Sequence, residues 1–255
     1  MTKVVLSIAR ATLLEALRSR MLWLVGVLLA VAVAAAAFLQ QVALVETARI
    51  QAAIIAALLR GCAGFLVAAF VVMSMVREFN DKVLELMLAQ PWPRAVYLFG
   101  KFVGFSAAAV ALAAIASLPL AFFAPPAQVA IWALSLACEL VILGAMSLFC
   151  VITLTHVVPA LAAVLGFYVL GRSIAAIQII ARPGDASQAW SDRVANWIVE
   201  AIAAVLPRFD LMTQTAWLVD GPPAAGAIAS VLAQAAIYTA LLVTAAQFDL
   251  HRQNL

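Results

Sequence analysis

The stretch LWLVGVLLAVAVAAAAFL, residues 22–39, decides the fold class of this chain. It contains no charged residue, and a helix of about 20 apolar residues crosses the ~30 Å hydrocarbon core of a bilayer. Similar runs recur along the 255 residues, of which 67% are hydrophobic and 11% charged. The mean hydropathy is +1.12, whereas soluble domains carry about 25% charged residues. Most of the chain is therefore predicted to lie in lipid.

These long runs predict helices rather than barrel strands. Backbone groups in hydrocarbon must bond to one another, which leaves helices or a closed barrel. Barrel strands alternate apolar and polar residues, whereas the runs here are unbroken. The sequence thus predicts an all-α integral membrane protein with a single domain over residues 1–255. Six spans are expected, at about residues 21–39, 54–76, 102–123, 129–154, 157–180 and 224–248.

Residues 1–20 are interpreted as an amphipathic interfacial helix rather than the start of a cleaved signal peptide. The segment is long and contains Glu15, while a signal peptide has a short basic region and a shorter apolar core. Lys3, Ser7 and Arg10 fall on one helical face. Such a face suits a helix lying on an anionic membrane surface.

The distribution of basic residues predicts the orientation, because cytoplasmic loops carry an excess of Lys and Arg. With the N-terminus inside, the inner side holds Lys3, Arg10, Arg18, Arg20, Arg77, Lys82, Arg94, Lys101 and Arg252. The outer side then holds Arg49, Arg60, Arg172, Arg182, Arg193 and Arg208. We expect a multi-pass protein of a bacterial cytoplasmic membrane with both termini in the cytoplasm.

Residues 181–223 form the longest polar excursion and are expected on the extracytoplasmic side. Within them, WSDRVANWIVEAIAAVL has helical periodicity, and its apolar face comprises Trp190, Val194, Trp197, Ala201 and Val205. Two tryptophans on one face are typical of a helix lying in the membrane interface. A short helix packed on the bundle is the equally weighted alternative.

Residues 77–94, between the second and third spans, are rich in charged residues. Glu78, Lys82 and Glu85 lie three or four residues apart, which supports a short amphipathic helix. This helix is expected to end near Gln90, because the residue before Pro91 is disfavoured in the α region. A plain connecting loop explains the same charges about equally well.

The pattern REFNDKVLELMLAQPWPRAVYLFGK, residues 77–101, resembles the signature of type-2 ABC transporter permeases. The matching positions are Glu78, the leucine-rich residues 84–88, Pro91, Arg94, Gly100 and Lys101. Asp81 and Lys82 stand where many family members have a Gly-Thr pair. LPRFDLMTQ, residues 206–214, is similar to the Pro-x-x-Asp segment before the last span of such permeases. The pattern resembles in particular the permeases associated with copper-enzyme maturation.

This resemblance implies that residues 77–94 are a coupling helix gripped by a cytoplasmic ABC ATPase. The ATPase-coupling residues are then expected to be Glu78, Asp81, Lys82, Glu85, Pro91 and Arg94. The chain has no GxxxxGK[ST] loop for phosphate binding, so the ATPase is a separate polypeptide. The resemblance further implies an exporter built from two permease copies, here a homodimer, and two ATPase subunits. The permease itself would then be no enzyme.

Arg60, Glu139 and Arg172 fall within predicted spans, in the outer half at similar depth. Ionisable groups are costly in lipid and normally face the protein interior or a partner. We expect Glu139 to pair with Arg60 or Arg172. The cluster either lines the outer part of a pathway or locks spans two, four and five together, and the second interpretation is favoured.

Other function classes find less support in the sequence. Cys62, Cys138 and Cys150 lie in apolar runs without metal-ligand spacing, so neither a metal site nor a cofactor is expected. An intramembrane enzyme would need clustered polar residues, and the chain has only His156 and His251 as histidines. A secondary transporter or a non-transporting membrane scaffold is the alternative to the permease. Membrane lipids are expected partners and nucleic acid is not, because span-flanking basic residues account for the net charge of +3.

Overall fold

The computed structural model describes residues 2–19, 21–42, 47–81, 94–181 and 190–252. Within these ranges every regular element is helical. The α-helices are α1 (Thr2–Arg18), α2 (Met21–Val42), α3 (Thr47–Asn80), α4 (Arg94–Ser117), α5 (Pro126–Leu154), α6 (Val157–Ala181), α7 (Trp190–Val205), α8 (Ala216–Val219) and α9 (Ala225–Arg252). Short 3-10 helices lie at Leu118–Phe122 and Phe209–Leu211.

Five helices, α3, α4, α5, α6 and α9, are long and apolar enough to cross a membrane. The α1–α2 pair, bent by 54°, reaches the same criterion only when it is counted as one broken span. The chain therefore has five or six membrane-spanning candidates among its described residues. Helices cover all six regions in which spans were expected, and an all-helical fold with five or six helices long and apolar enough to cross a membrane is confirmed among the described residues.

Helix α3 continues beyond Val76, the expected end of the second span. Arg77, Glu78 and Asn80 belong to the last turn of α3, which is continuous from Thr47. The sequence between Val76 and Asn80 contains neither glycine nor proline, so nothing there interrupts the helix. Arg94 is already the first residue of α4, and residues 82–93 lie outside the described part of the chain.

The long helices define two ends of the bundle. We call the end at which α3 finishes and α4 begins the proximal end, and the opposite end the distal end. At the proximal end, the Thr153 hydroxyl of α5 donates to Asp249 Oδ2 of α9 at 2.6 Å. At the distal end, the buried Gln51 amide of α3 donates to the Ala36 carbonyl of α2 at 3.1 Å. Hydrogen bonds between helices thus lie near both ends.

Helix α5 is the centre of the bundle, with α3, α4, α6 and α9 packed around it. Trp132, Leu136, Leu140 and Leu148 are fully buried along its length. Unlike α5, helices α6 and α9 expose most of their surfaces. The core therefore lies along α5, while α6 and α9 contribute much of the outer surface.

Helix α1 packs on α4 through two glycines one turn apart. A Cβ atom at Gly104 would lie 2.6 Å from Thr12 Cβ and 2.9 Å from the Ala9 carbonyl oxygen. A Cβ atom at Gly100 would lie 2.9 Å from Ile8 Cβ. One face of α1 is buried against protein, because the glycines let the two backbones approach closely, and the interfacial position expected for this helix stays a prediction.

The helix expected within residues 181–223 is confirmed as α7, and its apolar face is exposed. Trp190 is 80% exposed, Trp197 70% and Val205 76%. The helix contacts α6, but these three side chains do not pack on the bundle. The exposed face therefore favours the membrane-interface interpretation over the packed alternative.

We expect Gly104→Ala to destabilise the protein, because the new methyl group overlaps Thr12 and the Ala9 carbonyl. Overpacking of this kind costs about 1–3 kcal/mol. Thermal unfolding of the purified chain in detergent measures the effect. Gly61→Ala is the matched control, since Gly61 is exposed and a Cβ there meets nothing within 4 Å. Equal melting temperatures for the two variants would contradict the close α1–α4 packing.

Candidate functional site

Two clusters of polar side chains lie at opposite ends of the bundle. The proximal charge cluster consists of Glu15, Arg77, Glu78, Tyr97 and Lys101. The distal polar cluster consists of Arg60, Ser135, Glu139, Arg172 and Thr213. In a chain with so few charges, these clusters are the places where polar chemistry joins several helices.

Lys101 of α4 is the buried cation of the proximal charge cluster. Its side chain is only 7% exposed. The ammonium group donates to Glu78 Oε1 and lies 4.0 Å from Glu15 Oε2. It also lies 5.7 Å from the centre of the Phe105 ring. A buried ammonium group requires such compensation, because its desolvation costs several kcal/mol.

Glu78 of α3 is held on both oxygens. While Oε1 accepts from Lys101, Oε2 accepts a hydrogen bond from the Tyr97 hydroxyl. Both partners belong to the first two turns of α4. Glu78 therefore ties the end of α3 to the start of α4 across residues 82–93, and its carboxylate is engaged within the chain.

Glu15 brings α1 into the same cluster. Its Oε1 atom accepts from the Ser74 hydroxyl at 2.9 Å and from the Arg77 guanidinium. The sequence analysis did not assign Glu15 a role in the site. A signal was present, because Glu15 is the only acidic residue before Glu46 and lies among basic residues. Which residue it would meet depends on the packing of α1 against α3 and α4.

The other predicted coupling residues are distributed differently. Asp81 is exposed just beyond the end of α3. Arg94 donates to the Leu250 carbonyl of α9 at 3.3 Å. Lys82, Glu85 and Pro91 lie outside the described residues. The structure thus brings together Glu78 and Lys101 of the motif, adds Glu15, and leaves Asp81 accessible.

The distal polar cluster is centred on Glu139 of α5, which is fully buried. Its Oε2 atom lies 3.6 Å from Arg172 Nη1 and accepts a hydrogen bond from the Thr213 hydroxyl. The ion pair expected for Glu139 is therefore with Arg172. Arg60 instead donates to the Thr213 backbone carbonyl at 3.0 Å.

Residues 206–214, which we call the distal segment, fold into the bundle rather than over it. Phe209, Met212 and Thr213 are fully buried. Phe209 packs on Tyr168 of α6 with the ring centres 5.6 Å apart. A Cβ atom at Gly171 would lie 2.8 Å from the Phe209 ring and 2.9 Å from the Pro207 carbonyl oxygen. Glycine at 171 therefore permits the close approach of this segment to α6.

Arginine side chains hold the backbone of the distal segment. Arg172 Nη1 donates to the carbonyls of Phe209 and Met212, the second at 3.1 Å. The Thr213 backbone N–H donates to the Ser135 hydroxyl of α5 at 2.9 Å, and Thr213 has a left-handed φ of 46°. The cluster thus joins α3, α5, α6 and the distal segment.

Not every polar atom of the distal polar cluster has a hydrogen-bond partner. Among the described residues, Arg60 Nε is buried and has no hydrogen-bond partner. Such an atom costs about 1–3 kcal/mol. The sequence analysis anticipated the carboxylate–guanidinium pair but missed Thr213 and Ser135, because neither hydroxyl is distinguishable in sequence from those bonded only to their own helix.

Comparison with known proteins adds no relative. The chain matches no protein-family model, and no curated protein matches it.

Replacing Lys101 with Met should destabilise the protein by about 3 kcal/mol, because it leaves the Glu78 carboxylate without its cation. Denaturant titration in detergent micelles measures the loss. The double variant Lys101→Met/Glu78→Gln should recover much of it, since the buried charge is then removed as well. A single variant as stable as the parent chain would show that the pair contributes nothing.

Glu139→Gln should loosen the distal segment, because Gln cannot neutralise Arg172. The probe is a Met212→Cys substitution in a chain whose native cysteines are replaced by Ala, with maleimide labelling as the readout. We expect labelling to accelerate at least about tenfold, since losing one partner of a buried ion pair costs about 3–5 kcal/mol.

Ser147→Ala is the matched control for that measurement. Ser147 is also a buried polar residue of α5, but its hydroxyl bonds to the Leu143 carbonyl of its own helix at 2.7 Å. Its loss should leave labelling at position 212 unchanged. Equal labelling rates for the Glu139→Gln and parent chains would show that Glu139 does not hold the segment.

Proposed function

We propose that this chain is the transmembrane permease subunit of an ABC exporter, driven by a separate ATP-hydrolysing subunit that docks on residues 77–94. Two copies of the permease and two ATPase subunits would form the transporter in a bacterial cytoplasmic membrane. Both termini and residues 82–93 would face the cytoplasm. The order and spacing of motifs along residues 77–101 and 206–214 motivate this proposal.

The proximal charge cluster is the observation that best supports it. Residues 82–93 follow α3 and precede α4 in the chain. The two helices are connected there by the bonds of Glu78 to Tyr97 and Lys101. Glu15 adds α1 to the same unit. A force applied by the ATPase to residues 82–93 would therefore displace α1, α3 and α4 together rather than only the segment between α3 and α4. A coupling element requires such a joint displacement.

We assign different roles to the predicted coupling residues. Glu78 acts as an internal tie, because both of its oxygens bond to α4. Asp81 is exposed and remains a contact for the ATPase, together with the predicted contacts Lys82 and Glu85. Arg94 connects the start of α4 to the end of α9 through the Leu250 carbonyl, so we assign it to transmission rather than docking.

The distal polar cluster acts as a structural lock in this proposal. Its contacts hold α3, α5, α6 and the distal segment as one unit. Transport would then move this unit as a whole relative to the second permease copy. The buried Arg60 Nε atom, which has no hydrogen-bond partner among the described residues, favours the alternative in which the cluster meets a polar cargo.

Reversing the charge of two docking residues should weaken ATPase binding. We expect the Asp81→Lys/Glu85→Lys chain to copurify at least about tenfold less of the ATPase, because like charges juxtaposed at an interface cost several kcal/mol. The measurement is affinity purification from cells that also express the ATPase encoded beside the permease gene. Glu78 is left intact because its reversal would break the internal pair with Lys101.

Asp220→Lys is the control, since Asp220 is an exposed acidic residue at the distal end. It should leave copurification unchanged. Retention of the ATPase by the doubly reversed chain would contradict the docking assignment. If the parent chain copurified no subunit with a phosphate-binding loop, the proposed function itself would be wrong.

A further inference from the structure

A large groove lies on the outer side of the bundle between α4, α5 and α9. Its volume is about 690 Å³, within the roughly 300–1,000 Å³ of small-molecule sites. Phe99, Phe102 and Val110 form the α4 wall, while α9 forms the opposite wall. Phe99 and Val110 are each about half exposed, so the groove opens sideways to the surroundings of the bundle. It shares no residue with either polar cluster.

The length of the groove matches one leaflet of a bilayer. On α4 it extends from Phe99 to Val110, and on α9 from Gln247 to Ala235. At 1.5 Å per residue each wall is about 17 Å long. The hydrocarbon core of a bilayer is about 30 Å thick, so one leaflet contributes about half of that. The groove begins near the proximal end and finishes part-way along α4 and α9.

The chemistry of the walls suits a hydrocarbon chain. Alanine, valine and phenylalanine side chains dominate them. The Ser106 and Thr239 hydroxyls are buried without a hydrogen-bond partner among the described residues. Such hydroxyls can bond back to the carbonyl four residues earlier, as Thr244 on the same wall does with Ala240 at 2.9 Å. They therefore do not demand a polar occupant.

The proximal mouth of the groove is polar, and basic residues lie beyond it at the end of α9. Gln247 lines it, and His251, one turn further along α9, bonds through Nδ1 to the Gln247 carbonyl. His251 and Arg252 are both exposed there. A basic residue at headgroup level attracts an anionic lipid. The polar mouth and the apolar interior thus match the two halves of a phospholipid.

We propose that this groove binds one acyl chain of a phospholipid from the proximal leaflet, with the phosphate headgroup at the His251–Arg252 end of α9. The site is a lipid site of the permease scaffold, separate from the residues that dock the ATPase. It needs neither ATP nor the partner subunit, so it can fail while the proposed transport function stands, and the reverse also holds.

The test is native mass spectrometry of the purified full chain released from mild detergent, with added phosphatidylglycerol as the probe. Ala236→Trp places an indole in the groove at an exposed position. We expect this variant to lose one tightly bound phospholipid per chain. Ala233→Trp is the control, because Ala233 is exposed on the same helix and does not line the groove. It should retain the lipid.

One further double variant distinguishes an acyl chain from a polar occupant of the groove. Ser106→Ala/Thr239→Val should leave lipid binding unchanged, since an acyl chain makes no hydrogen bonds to these hydroxyls. Loss of binding in that double variant would overturn the acyl-chain assignment in favour of a polar occupant. Unchanged lipid binding by Ala236→Trp would also overturn it. A cross-link between two chains through Cys138, which lines the groove, would also overturn the acyl-chain assignment. A second copy of the chain would then fill the groove.

Discussion

The cost of placing charge in hydrocarbon governs this structure. Lys101 and Glu139 are nearly or fully buried, and an isolated charge in either place would cost several kcal/mol. The oppositely charged partner of each lies on another helix. The same contacts that satisfy the charges therefore fix which helices are neighbours. The proximal charge cluster joins α1, α3 and α4, and the distal polar cluster joins α3, α5, α6 and the distal segment.

Close packing accompanies the polar contacts at both ends of the bundle. Lipid tails are as apolar as leucine, so helices in a membrane associate through tight packing of small residues rather than through hydrophobic burial. Gly100 and Gly104 bring α1 against α4, and Gly171 admits the Phe209 ring and the Pro207 carbonyl to α6. The central α5 completes the bundle, with Trp132 and several leucines fully buried. Because each charge cluster joins several helices, movement of one of these helices would displace the others.

Much of the fold followed from the sequence, because unbroken apolar runs leave a helix as the local solution in lipid. The expected spans coincide with helices, and the amphipathic pattern of residues 190–206 identified α7. The expectation that Glu139 has a guanidinium partner also followed, since a lone carboxylate is not tolerated in a span. Helix α3 continues through Asn80, and most of the helix expected to end near Gln90 lies outside the described residues. Glu78, for which an ATPase contact was expected, bonds internally to Tyr97 and Lys101, and the ATPase contact stays a prediction.

The sequence by itself determined that the chain is helical, that it belongs in a membrane, and that a few charges must find partners. These are consequences of composition and of local periodicity, and neither depends on which helices are neighbours. Only the tertiary structure decided that Glu15 meets Ser74 and Arg77, that Arg172 rather than Arg60 pairs with Glu139, and that residues 206–214 fold inward. The physical reason is that such partners lie far apart in sequence, up to 156 residues for Arg94 and Leu250. Their meeting depends on how closely glycines let the helices approach, which no local pattern encodes.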